Sequence, residues 1–323
     1  MKKTKNLIID FIKENQPVTA NQLQIMGISK AMIHRHLKKL INDNLIIKKG
    51  TPPKVFYFIK ENNLETISFF SDSIKNILNQ EYVYISPDGK IEYGLNGFIS
   101  WCKTRNLETK KTAQDYVKTW KKYHKFKKNG FINGTDKLKT TFKNKAIDKL
   151  YYCDFYSIER FGKTKIGNFL LYAKQSQNIE LIQKIALIIK NPIQEFIKKY
   201  NINSIAYVPH SIKRNVQLIP EIKKFLNINL PVIDVLKITD QIPVPQKSLS
   251  RFQDRITNAK NTIFPKKNHY QQFNNILLFD DAVGSGATMN ETAKKIKNLK
   301  IAKKFFGLAI VGSFKGFEVI SEI

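Results

Sequence analysis

The sequence predicts an α/β protein: a parallel-sheet domain on the carboxyl side, preceded by a small helical module with a β-hairpin and by a mixed α/β middle segment. Three observations carry that expectation. Residues 5–60 show three short helical patterns followed by two short strands. From about Tyr151, strand-like and helix-like stretches alternate, as they do around a parallel sheet. The apolar run 276–279 ends in Asp280 and Asp281, then opens through Gly284-Ser285-Gly286-Ala287-Thr288 into a helical pattern. The implied boundaries are 1–61, 62–150 and 151–323.

In the first segment, Leu7, Ile8, Phe11 and Ile12 mark a helix that stops before Pro17. Thr19 and Gln22 have capping-box spacing for a second helix through Met26. Gly27 makes the turn, Ser29 caps a third helix, and Ile33, Leu37, Leu40 and Ile41 form its buried face. Strands at 45–48 and 55–59 flank a basic turn. This order is that of a winged helix-turn-helix, a fold that places its third helix in the major groove of DNA. Lys30, His34, Arg35 and Lys38 would face outward, with Lys49 and Lys54 on the wing. These residues suit phosphate contacts with a few base edges, so DNA is the expected partner. A winged helix used for dimerisation or protein docking is the competing reading, and a homodimer is compatible with it.

The middle segment says less. Strands at 82–85 and 90–93 alternate around Ser86-Pro87-Asp88-Gly89, which has hairpin turn chemistry. A short helix with Phe98 and Trp101 follows, then a longer one over about 112–126. Its Tyr116, Trp120 and Tyr123 lie among lysines. Such aromatics can stack on single strands, but an amphipathic helix with core aromatics accounts for them better.

In the last segment, a helix over 179–200 with an interruption near Pro192 leads into an apolar strand at 205–208. Its end, Pro209-His210-Ser211-Ile212-Lys213-Arg214, is a basic loop suited to pyrophosphate. Open α/β sheets bind ligands at the carboxyl ends of their strands, which is where Asp280 and Asp281 fall. The residues after them, Ala282, Val283, Gly284, Ser285, Gly286, Ala287 and Thr288, are small enough for backbone N–H groups to wrap an anion at a helix N-terminus. Two carboxylates beside such a cradle suit vicinal hydroxyls, or a magnesium ion held indirectly. A phosphate cradle with a diol grip describes a ribose 5-phosphate site.

That order of residues resembles the 5-phosphoribosyl-1-pyrophosphate (PRPP) motif of type I phosphoribosyltransferases. Ala282 stands where a larger aliphatic residue is usual, and Gly284 where Thr, Ser or Ala is commoner. The resemblance implies a type I phosphoribosyltransferase-like fold, PRPP with Mg²⁺, and Asp280 and Asp281 as the residues closest to chemistry. Over about 151–323 the chain also resembles the competence-protein F (ComF, or GntX-like) family, tied to DNA uptake in natural transformation. The matching parts are Val208-Pro209, the segment with Gln246, Leu249, Ser250, Arg255, Asn258 and Phe264, and the stretch from Phe279 to Thr288. Under that resemblance His210, Ser211, Lys213, Arg214, Arg251 and Arg255 would hold pyrophosphate. Members of that family usually open with a cysteine zinc finger, and this chain carries a winged helix there instead. A winged helix fused to a phosphoribosyltransferase fold also resembles the purine repressors of Gram-positive bacteria, which take PRPP as effector. The implied roles are DNA processing, PRPP-responsive regulation, or phosphoribosyl transfer to a base or amine. The tail offers little for base recognition beyond Phe314 and Phe317.

Composition bounds these readings. With 323 residues and 42% hydrophobic content, the chain can bury more than one core. Cys102 and Cys153 make neither a zinc spacing nor a disulfide framework. No apolar run is long enough for a membrane span and no signal-peptide pattern opens the chain, so the cytoplasm is expected. A net charge of +29 favours polyanions. Only six of the 55 basic residues are arginine, however, so AT-rich coding and a solvated lysine coat explain much of that charge. Four of the six, Arg160, Arg214, Arg251 and Arg255, lie in the last segment, where a guanidinium fork suits phosphate.

Overall fold

A computed structural model describes residues 4–60, 70–266 and 272–313. The chain divides into two compact units, Met1–Phe69 and Phe70–Ile323.

The first unit holds α1 (Thr4–Asn15), a 3-10 turn (Gln22–Met26), α2 (Lys30–Asn42) and an antiparallel hairpin of β1 (Ile46–Lys49) and β2 (Phe56–Ile59). Thr19 N–H donates to Gln22 Oε1 at 2.7 Å and Gln22 N–H donates to Thr19 Oγ1 at 3.4 Å, the reciprocal cap expected from the spacing. The helix it caps is a 3-10 turn rather than an α-helix. Gly27, at φ 71°, ends it after five residues, too few for an α-helix to propagate. Ser29 Oγ accepts from Met32 N–H and starts α2. The α2 residues Ile33, Leu37 and Leu40 pack on Ile8, Ile12, Val18, Leu23, Ile46 and Tyr57. After β1 the chain turns at Gly50, with φ 87°, where a Cβ would lie 2.2 Å from the Lys54 carbonyl oxygen, so only glycine closes this turn.

The second unit starts with α3 (Asp72–Glu81), the hairpin β3 (Val83–Ile85) and β4 (Ile91–Tyr93), α4 (Gly94–Thr104) and α5 (Thr109–His124). Glu108 accepts from the Lys110 and Lys111 amides, so α5 begins before the residue where apolar periodicity first shows it. Tyr116 is 4% exposed, and its ring stands edge-on to Tyr82 and Phe161, with centroids at 5.3 and 5.2 Å. Tyr123 is buried as well. These two are core, whereas Trp120 is half-buried and stacks on His124, with centroids 4.3 Å apart.

Next come β5 (Lys127–Lys128), β6 (Phe131–Asn133), α6 (Thr135–Thr141), β7 (Lys149–Phe155) and a short hairpin, β8 (Ser157–Ile158) with β9 (Gly162–Lys163). They are followed by α7 (Lys165–Ser176), α8 (Ile179–Lys199), β10 (Ser204–Tyr207), α9 (Leu218–Leu226), β11 (Val232–Ile233) and β12 (Val235–Lys237). The described chain finishes with α10 (Phe252–Thr262), β13 (Ile263–Pro265), which pairs with β12, then β14 (Phe273–Val283), α11 (Ala287–Asn298) and β15 (Ala302–Gly312). One sheet runs β11-β10-β14-β15-β7-β6-β5. The first five strands are parallel and the last two are antiparallel. Although the sequence set 62–150 apart as a middle segment, its β5 and β6 extend the same sheet.

Helix α8 runs through Pro192 without the expected interruption. An interior proline costs about 3 kcal/mol. Ile185, Ile189, Ile193 and Phe196, each at most 2% exposed, bury the same helix on the sheet. At about 1.5–3 kcal/mol per fully buried side chain, packing outweighs the proline. Among the described residues, no helix is long and apolar enough to cross a membrane. Phe314 and Phe317 lie outside the described residues.

Candidate functional site

Strand β14 lies between β10 and β15, parallel to both, and Ile276, Leu277, Leu278 and Phe279 are each 0% exposed. A stretch covered on both faces is apolar, and polar residues return where the pairing with β10 stops at Phe279, while the pairing with β15 runs on to Val283. These polar residues are Asp280 and Asp281. The Asp281 N–H donates to Asp280 Oδ1 at 2.7 Å. Burial, reinforced by the neighbouring Asp281 charge, pushes the Asp280 carboxyl up to about 8, and Lys174 and Lys237 oppose the shift. Asp281 Oδ2 is ion-paired with Lys174 Nζ.

The turn beyond β14 leads into α11. Gly286 sits at its N-cap in the left-handed region, φ 77°, with no capping side chain and no acid in the first turn. The opening amides of α11 are thereby left to an anion, apart from Ala287 N–H, which donates to Ser285 Oγ at 3.3 Å. Leu138 and Phe142 pack beneath Gly286.

The loop after β10 supplies another wall. His210, Ser211, Ile212 and Arg214 line the same cavity. Lys237 Nζ, from β12, donates to Ser211 Oγ at 3.1 Å. Burial lowers the His210 pKa, and the charges of Lys237, Arg214 and Lys213 lower it further, which keeps the imidazole neutral among cations. A third wall consists of Pro245, Gln246, Lys247 and Arg255. It is knitted internally: Gln246 Nε2 donates to the Arg255 carbonyl at 3.0 Å and to Asn258 Oδ1 at 3.2 Å, while Arg255 Nε donates to the Leu249 carbonyl at 2.7 Å. Gln246, Leu249 and Asn258 thus shape the loop, and Arg255 both braces it and faces the cavity.

The cavity measures about 240 Å³, and every residue from Asp280 to Thr288 lines it. Lys213 and Arg251 are exposed and stand outside its lining. Sequence reasoning missed a fourth wall, formed by Tyr156 and by Leu170, Leu171, Lys174 and Gln175 of α7. It also missed Lys237. No local signal marks Lys174 or Lys237 in a lysine-rich chain; only the topology brings them to the acids.

The donor set does not make a self-sufficient magnesium site. Asp281 is already paired with an ammonium, and among the described residues no group of three His, Cys, Asp or Glu side chains could hold a metal. A divalent ion would have to arrive with ligand oxygens.

On the first unit, Lys30, His34, Arg35, Lys38 and Lys54 are exposed. Lys49 is half-buried, with its ammonium 5.1 Å from the centre of the Phe58 ring.

No protein-family profile matches this chain, and neither does any curated protein sequence. Among solved structures, it is similar to an adenine phosphoribosyltransferase at 16% identity, covering 43% of this chain and 74% of that one, with a TM-score of 0.29. It is similar to a hypoxanthine phosphoribosyltransferase from Staphylococcus aureus at 12% identity, covering 45% and 70%, with a TM-score of 0.27. It is also similar to the adenine phosphoribosyltransferase of Trypanosoma brucei in complex with AMP, pyrophosphate and ribose-5-phosphate, at 10% identity, covering 54% and 89%, with a TM-score of 0.28.

Proposed function

We propose that the second unit has a type I phosphoribosyltransferase-like fold and binds PRPP, or a related ribose 5-phosphate, in this cavity. One observation carries the reading: the carboxylate pair, the small-residue N-terminus of α11 and the cationic Lys174, Arg214, Lys247 and Arg255 line one cavity. The backbone from Gly284 to Thr288 takes the 5-phosphate and Asp280 with Asp281 takes the ribose hydroxyls. His210, Ser211, Arg214 and Arg255 take the pyrophosphate, Lys237 braces Ser211 from outside the lining, and Lys213 and Arg251 also stand outside it. Magnesium bound with PRPP would neutralise the leaving pyrophosphate. The residues themselves orient the sugar and stabilise charge as the bond from the anomeric carbon to pyrophosphate breaks.

In this reading the first unit is a winged helix that binds DNA through the exposed side of α2. The exposed Lys30, Arg35 and Lys38 support it. The whole chain then acts in DNA uptake or processing, as its ComF-like segments suggest, or as a PRPP-responsive regulator. A second reading, active transfer to a base or amine, is favoured by the wall of Tyr156, Leu170, Leu171 and Gln175. None of the phosphate or hydroxyl contacts accounts for it, and it offers an acceptor a partly apolar seat.

Calorimetric titration with PRPP and Mg²⁺ tests the shared part. Wild type binds, and the double variant Asp280→Asn/Asp281→Asn does not; binding that survives the double variant rejects the site. DNA affinity measured at fixed salt, with and without PRPP, separates the two readings. A shift with PRPP supports regulation, and pyrophosphate release with an acceptor base supports transfer.

A further inference from the structure

We propose that Lys174 is a built-in cation at this site, so that a ribose 5-phosphate docks on the acidic pair without a divalent metal. The inference rests on the ribose 5-phosphate reading above and deepens it.

Lys174 Nζ is paired with Asp281 Oδ2, and the two side chains are only 27% and 24% exposed. The lysine reaches the acid from a fixed support. In α7, Thr164 Oγ1 accepts from Gly167 N–H at 3.1 Å, and Ile166, Phe169, Leu170 and Ala173 are buried in the main core. Just past its end, Gln177 Oε1 accepts from Val216 N–H at 2.9 Å, which ties α7 to the segment following the His210–Arg214 loop. A lysine in a last helical turn is ordinary, since the helix dipole favours it there. That preference is met in water as well as against a carboxylate, so it leaves the partly buried pairing with another element unexplained.

The charges around the pair close without a metal. The Asp281 carboxylate is paired with Lys174, Asp280 is held toward its protonated form, and a second ammonium, Lys237, stands nearby holding Ser211, so no unpaired negative charge is left over. A divalent ion between the acids would sit beside an ammonium of like sign in a partly desolvated wall, where repulsion is poorly screened. Lys174 instead fixes the Asp281 carboxylate, leaving oxygen lone pairs on Asp281 and Asp280 for the vicinal hydroxyls. Lys174 is thus a positioning residue for the diol grip.

The test uses the full chain and two ligands, ribose 5-phosphate, which has no pyrophosphate to carry metal, and PRPP. Affinities are measured by calorimetry in EDTA and in excess Mg²⁺, for wild type, Lys174→Gln and Lys174→Arg. Wild-type affinity for ribose 5-phosphate is expected to be the same in EDTA and Mg²⁺ within about twofold, and Lys174→Gln to lose about tenfold or more in EDTA, a tenfold loss being about 1.4 kcal/mol. Mg²⁺ should restore part of that loss, and Lys174→Arg should keep metal independence. Thermal melting followed by tryptophan fluorescence checks that both variants are folded. A Lys174→Gln variant that binds ribose 5-phosphate as well as wild type in EDTA overturns the proposal. So does a wild type that binds only with Mg²⁺, which leaves the ribose 5-phosphate reading standing. A wild type that binds neither ligand in either condition removes that reading, and this proposal with it.

Discussion

Replacing Gly286 with alanine probes the loop proposed to cradle the phosphate. Gly286 has φ 77°, and a Cβ there would lie 2.8 Å from Leu138 Cδ1 and 3.7 Å from Phe142 Cε2. Holding an L-residue in the left-handed region costs about 1–2 kcal/mol. Leu138 is 2% exposed, so it cannot swing into solvent, and overpacking of this kind costs about 1–3 kcal/mol. The expected loss is therefore about 2–5 kcal/mol. Gly89 is an internal control. It has φ 81°, and a Cβ added to it would meet nothing within 4 Å, so alanine there carries only the backbone cost of about 1–2 kcal/mol. The gain from stiffening the unfolded chain is common to both and cancels. Both tryptophans, Trp101 and Trp120, lie in the second unit, so urea unfolding of the whole chain followed by tryptophan fluorescence reads that unit alone. Equal losses at Gly286 and Gly89, within about 0.5 kcal/mol, would refute the packing of the loop on Leu138.

Three more outcomes are expected. The Asp280 carboxyl is raised to about 8 in the folded chain from an ordinary 3.8, so its protonated form is the one the fold favours. Its contribution to stability is full below pH 4 and is lost as pH rises through 8, so Asp280→Asn should gain on wild type across that interval in thermal melts. An unchanging difference would mean that Asp280 is solvated. Arg35→Ala/Lys38→Ala should weaken duplex binding and reduce the salt slope by about 2, at roughly 0.9 per lost phosphate contact; an unaltered slope would move DNA off α2. Cys102 and Cys153 are 0% and 3% exposed, and burial pushes both thiols up to about 12. Neither should react with a thiol reagent at pH 8 until urea unfolds the chain, and prompt labelling would contradict their burial.

The candidate site was legible where chemistry is local. Asp280, Asp281 and the turn through Thr288 are contiguous, and an apolar strand followed by acids and a glycine-rich helix start has one natural geometry. The first unit was legible for the same reason, since Thr19, Gly27, Ser29 and Gly50 each act on their immediate neighbours. What stayed hidden depends on contacts between distant segments. Lys174 meets Asp281 across 107 positions, counting from one number to the other, and nothing near either residue announces the other. Pro192 marked a break that distant burial overrides. The sheet membership of β5 and β6 was equally hidden, because two-residue and three-residue strands carry no periodicity, and only the pairing of β6 with β7 and of β5 with β6 defines them.

That pairing decides where this protein can be cut. Strand β7 is bonded on one side to β15 and on the other to β6, and Phe131 of β6 stacks edge-on to Phe196 in the main core, with centroids at 5.2 Å. A fragment starting near Tyr151 would leave β7 as a bare edge with a missing core ring, a surface prone to pairing with other chains. A fragment starting at Phe70 keeps the edge covered. A truncation meant to test the proposed ligand and DNA roles separately should divide the chain there, and insolubility of the shorter piece would say nothing about the candidate site.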